Sequence, residues 1–123
     1  MPIHWTISQA DRLVKVSATG PVGLKDVECY LDAIVVAGAM DYAKLFDTTG
    51  MEASASDDDM MQLGARMQAY ALTFTTGPIA FVVNELKAER YVRRYINLGT
   101  ARRPTKIFKT VAAARKWLVA RRA

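Results

Sequence analysis

Apolar and polar positions change period along this chain in a regular order. Ile3, Trp5 and Ile7 alternate with polar residues, the period of a half-buried strand. Gln9-Ala10-Asp11-Arg12 makes a short turn, and Leu13, Val14, Val16 and Ala18 give a second strand ending at Thr19-Gly20-Pro21. So short a connection predicts an antiparallel hairpin. Leu24, Val27, Leu31, Ile34, Val35 and Gly38 then recur at helical spacing, with Gly38 near the helix end. A third strand is predicted from Tyr42 to Asp47, closing in a polar turn, Asp47-Thr48-Thr49-Gly50.

Ser56 as N-cap and Asp59 three residues later form a capping box that starts the second helix. Asp57 and Asp58 favour the positive end of the same helix dipole. Its buried stripe is Met60, Leu63, Met67 and Tyr70 or Ala71. Gly77-Pro78 breaks the chain, and the apolar run 79–83 reads as a fully buried, central parallel strand. Asn84 is placed to cap a third helix with Val92, Tyr95 and Ile96 inward. Pro104 precedes a fifth strand from Thr105 to Phe108, and Thr110 caps a last helix carrying Val111, Ala114, Trp117 and Leu118.

The predicted order is ββαβαβαβα, an α/β single domain over residues 1–123. Alternating strands and helices demand a mixed, mostly parallel sheet with right-handed crossovers and helices packed on it. With 51% hydrophobic and 24% charged residues the balance is globular. Apolar runs fall far short of the ~20 residues of a membrane span. No secretory signal pattern is visible, and the lone Cys29 permits no internal disulfide. The expectation is a cytoplasmic protein that is not transmembrane.

Charge adds a second feature. The first 60 residues hold ten of the 12 acidic side chains, and the rest hold 13 of the 17 basic ones. Such asymmetry suits an acidic partner, a phospholipid surface or nucleic acid. It also suits two halves that pair with each other or with a second copy in a homodimer.

The element order, with its opening hairpin and the closing pattern from Ile107-Phe108 to Trp117-Leu118, resembles the SpoIIAA-like branch of the STAS superfamily. That superfamily includes anti-sigma-factor antagonists and proteins likened to the CRAL-TRIO lipid-binding fold. The resemblance implies a non-enzymatic interaction or regulatory module. Such a module is expected to dock a partner protein through the strand-three turn and helix two, around Asp47, Thr48, Thr49, Ser54, Ser56, Asp58 and Asp59. In the antagonists a serine here, following an aspartate, is phosphorylated. Ser54 and Ser56 are the candidates in this chain, and neither follows an aspartate. A phosphate on Ser56 would gain from the helix N-terminus and face three aspartates at once.

Other chemistry is sparse. Asp47 at a strand end fits turn formation through backbone hydrogen bonds better than phosphate acceptance, since Thr49 stands where phosphatases need a second aspartate. His4 and Cys29 are the only histidine and cysteine, so a His/Cys metal site or a Cys–His nucleophile pair cannot be assembled within one chain. Cys29 is expected to pack at the edge of the first helix. Phosphate-binding glycine loops and serine-hydrolase elbows are missing from the sequence. No catalytic residue, metal or cofactor is expected.

Two features point to ligands. Arg90, Arg93 and Arg94, interleaved with Tyr91 and Tyr95, are candidate anion contacts, with phospholipid headgroups ahead of nucleic acid. Met40, Met51, Met60, Met61 and Met67 cluster around strand three and helix two, an adaptable apolar surface. Met60, Met67 and Tyr70 are the expected wall if the chain carries or senses a lipid or another anionic apolar ligand.

Overall fold

A computed structural model describes residues 2–53, 56–99 and 103–122. The elements follow the predicted order: β1 (Ile3–Ser8), β2 (Leu13–Val22), α1 (Leu24–Val36), β3 (Ala43–Ala53), α2 (Asp57–Thr73), β4 (Ile79–Val82), α3 (Leu86–Gly99), β5 (Thr105–Phe108) and α4 (Val111–Arg122). They build one five-stranded sheet in the order β1-β2-β3-β4-β5. β1 and β2 pair antiparallel, with Trp5 opposite Val16, and every later pair is parallel.

This sequential order decides where the helices go. Each crossover steps the same way along the sheet, so right-handed connections put α1, α2 and α3 on one face. Strand alternation supplies both faces. Phe46, Phe81 and Val83 belong to the clusters under the three helices, while Ala43, Leu45, Ala80 and Val82 pack beneath Ala114 and Leu118 of α4. The closing pattern covers that second face, with the Trp117 ring tilted against Phe108 at 5.7 Å.

Local signals hold at several boundaries. Ser56 Oγ accepts from the Asp59 amide at 3.1 Å, and an Asp59 carboxylate oxygen accepts from the Ser56 amide at 3.0 Å. Thr110 Oγ accepts from the Ala113 amide at 3.2 Å. Gly38 follows the C-cap of α1 at φ +69°, a left-handed position that suits glycine.

Four expectations are corrected. β3 does not stop at Asp47 but runs to Ala53, because β2 also runs on to Val22 and the two stay paired past a register shift between Ser17 and Thr19. The supposed turn at Asp47-Thr48-Thr49-Gly50 is therefore strand, and Tyr42 lies outside it. The carbonyl that accepts the first α3 bond belongs to Glu85, not Asn84, with the Glu89 amide at 2.9 Å. Cys29 is exposed rather than packed.

Candidate functional site

The face under α1, α2 and α3 holds a partly open cavity of about 80 Å³. Its floor is the sheet, through Lys44, Phe46 and Thr48 of β3 and Ile79 and Phe81 of β4. Its walls are Tyr30 and Leu31 of α1, Met60, Leu63 and Met67 of α2, and Val92 and Tyr95 of α3. Helical spacing produces this arrangement: residues three and four apart fall on one side of α2 and reach the cavity together. A string of rings crosses the same face, Trp5 to Tyr30, Tyr30 to Phe46, Phe46 to Phe81 and Phe81 to Tyr95, at 5.6, 5.7, 5.6 and 6.2 Å. Three of the four are edge-on and Phe46–Phe81 is tilted; edge-on pairs contribute about 0.5–1.5 kcal/mol each beyond burial.

Into this apolar space project two cations. Lys44 is 3% exposed and its Nζ donates to the carbonyls of Ala39, Met40 and Tyr42 at 3.0, 2.8 and 2.7 Å. Burial, and then the positive Arg103 nearby, pulls its pKa down to about 7, with Asp41 opposing. Arg103 is 7% exposed and donates from Nε to the Gly77 carbonyl at 2.7 Å. Among the described residues its Nη2 is buried without a hydrogen-bond partner, as is the Tyr30 hydroxyl. Burial lowers the pKa of Arg103, while the Tyr95 and Tyr30 hydroxyls act against the shift. Burial also raises the Tyr30 and Tyr95 phenols, Tyr95 to about 12.

Gly77 makes this polar end of the cavity fit together. A Cβ there would stand 2.4 Å from the Tyr42 carbonyl oxygen and 2.5 Å from that of Asp41. Only glycine lets the segment before β4 press against the loop before β3, with the Gly77 amide donating to Met40 O at 3.2 Å. These groups sit at the amino ends of β3, β4 and β5, opposite the carboxyl ends where α/β sheets commonly bind ligands.

The residues singled out by sequence divide into three groups. Met60 and Met67 line the cavity; Tyr70 instead packs beside it, against Arg66 and Phe74. Arg90, Arg93 and Arg94 lie outside it. Arg90 and Arg94 flank exposed Leu86 in a shallow groove, Arg93 pairs with Glu89, and Arg94 pairs with Asp57 of α2. Arg66 likewise bridges Glu28 and Asp32 of α1 at 3.5 and 3.0 Å, so the basic and acidic halves of the chain partly neutralise each other.

At the β3–α2 region, Asp47 accepts from the Thr49 amide at 3.0 Å, the backbone-organising role its position suggests. Thr48 faces inward, 2% exposed, and donates to Val82 O at 2.8 Å, which removes it from any outer surface. Thr49, Ser56 and Asp58 are exposed, and Asp59 is half-buried and engaged in the cap. Ser54 lies outside the described residues. No group of three His, Cys, Asp or Glu side chains comes together as a metal site among the described residues. No described helix is long and apolar enough to cross a membrane.

No family model and no curated protein matches the sequence. Solved structures do match. An uncharacterized protein of the DUF3478 family with a SpoIIAA-like fold, from Shewanella loihica, is 21% identical with a TM-score of 0.62, over 94% of this chain and 91% of that one. The chain has the SpoIIAA-like fold. A second match is an anti-sigma factor antagonist from Mycobacterium paratuberculosis, 14% identical with a TM-score of 0.53, over 95% of this chain and 94% of that one. On the SpoIIAA-like scaffold the opening hairpin, the parallel strands and the closing Trp117-Leu118 helix all stand where the resemblance put them. Sequence reasoning missed Arg103 as an interior group. There it is simply one of the 13 basic residues after position 60, and its distinguishing signal is the Pro104 that turns the chain at once into β5.

Proposed function

We propose that this chain is a non-enzymatic regulatory module: its interior cavity binds an apolar ligand with an anionic end, and the β3–α2 surface docks a partner protein. The observation that carries the reading is the cavity itself, apolar on nearly every side yet holding a buried guanidinium with no carboxylate among its described lining residues. An isolated buried charge is costly, and a bound anion is the direct way to offset it.

Helix α2 links the two halves of the proposal. Met60, Leu63 and Met67 face the cavity, while Asp58 and Met61 on the same helix face solvent. A ligand that repacks the inner side of α2 changes what its outer side offers. Partner docking is also favoured by the antagonist that shares the fold.

Native mass spectrometry on protein purified without added lipid or detergent tests this reading and reads the homodimer question in the same spectrum. Extra mass that denaturation releases as a small molecule supports the ligand. A bare chain that captures a partner through Asp58 supports docking alone. A bare chain indifferent to Asp58→Lys removes both.

A further inference from the structure

The ligand's chemical class can be read from the unsatisfied atoms of the cavity; this inference rests on the ligand-binding half of the reading above. Its two cations are not equivalent. Lys44 has three N–H bonds and places all three on backbone carbonyls. Arg103 places Nε on Gly77 and leaves Nη2 buried with no partner among the described residues. The Tyr30 hydroxyl, on a residue 3% exposed, is unpartnered as well. A buried donor without an acceptor costs most when it is charged.

We propose that the cavity binds a small apolar monocarboxylate of ~4–6 carbons, its carboxylate accepting from Arg103 Nη2 and the Tyr30 hydroxyl and its chain lying among Met60, Leu63, Met67 and Phe81. Three features select this class. One cation, the Arg103 guanidinium, keeps an N–H without an acceptor, which matches a ligand with one charged group. Two donors, one charged and one neutral, suit the two oxygens of a carboxylate, whereas a phosphate ester brings more oxygens and more charge than these atoms can serve. At ~10–15 Å³ for each water-sized group, the volume of about 80 Å³ takes roughly 5–8 non-hydrogen atoms, the size of a butanoate or hexanoate ion, so a long acyl chain does not fit inside it while α2 keeps its place. The cavity-lining methionines can adjust around a short chain of varied shape.

Calorimetric titration of the full chain with hexanoate, hexan-1-ol and oleate decides the matter. The expected result is hexanoate binding at least ~10-fold tighter than hexan-1-ol, with Arg103→Met lowering hexanoate affinity ~10- to 100-fold and so closing the gap between the two. Tyr30→Phe keeps the ring contacts and is expected to lower hexanoate affinity ~3- to 10-fold; it carries the test if Arg103→Met does not fold. Equal binding of hexanoate and hexan-1-ol would overturn the carboxylate assignment while leaving an apolar ligand site intact. Oleate binding without hexanoate would overturn the size class in favour of a lipid. Binding of none of the three, in a protein whose native mass is also bare, overturns both this assignment and the ligand reading beneath it.

Discussion

Arg103 donates through Nε to the Gly77 carbonyl at 2.7 Å, a bond that ties the approach to β5 to the approach to β4. Gly77 in turn leans on the loop before β3, where Lys44 gathers the carbonyls of Ala39, Met40 and Tyr42. Three parallel strands therefore enter the sheet through one buried polar knot. It has no room for a side chain at Gly77.

Gly77→Ala tests that knot. Its methyl group would collide with backbone oxygens 2.4 and 2.5 Å away, which cannot rotate aside. The expected loss is about 3 kcal/mol or more, at the high end for overpacking, read as a lower urea midpoint.

Lys44 makes stability depend on pH. Its pKa is lowered in the folded state to about 7 from 10.5, so the unfolded chain binds more protons between those values and stability rises with pH across that window. The slope approaches about 1.4 kcal/mol per pH unit for one group. Urea denaturation at pH 7 and pH 9.5 is expected to show a gain for the wild type and a flatter response for Lys44→Met. Equal slopes in the two proteins would refute the assignment.

The acidic start of α2 separates capping from docking. Ser56→Ala breaks the capping box and is expected to cost about 1 kcal/mol. Asp58 takes no part in the cap, so Asp58→Lys is expected to cost less than about 1 kcal/mol, through the helix dipole, while weakening capture of a partner. Asp59 is a poor probe of docking, because its carboxylate holds the Ser56 amide.

Met60, 1% exposed, and Met67, 3% exposed, are core residues as well as cavity wall. Met60→Ala is expected to cost about 2–5 kcal/mol and to enlarge the cavity. Under the ligand assignment it also shifts preference towards longer carboxylates, which a titration series from butanoate to decanoate would read.

Most of the fold is legible in the sequence because its signals are local. The alternation at Ile3, Trp5 and Ile7, the Ser56 box and the Thr110 cap each act within a few residues. The length of β3 is not legible this way. Asp47-Thr48-Thr49-Gly50 has the composition of a turn, and it is strand only because β2 supplies partners as far as Val22. The site divides likewise. Met60 and Met67 are visible in the helical stripe, but Tyr70, one turn on, leaves the cavity edge. Arg103 gives no local sign of burial, because what buries it are Tyr30, Gly77 and Tyr95, far away along the chain.

That long-range assembly has a kinetic consequence. If the Arg103 guanidinium loses its water only when α1, Gly77 and α3 have all closed around it, its cost falls late in folding. Interactions formed after the transition state govern how fast a protein comes apart rather than how fast it forms. An anion seated on Arg103 would then show itself chiefly as a longer lifetime of the folded chain.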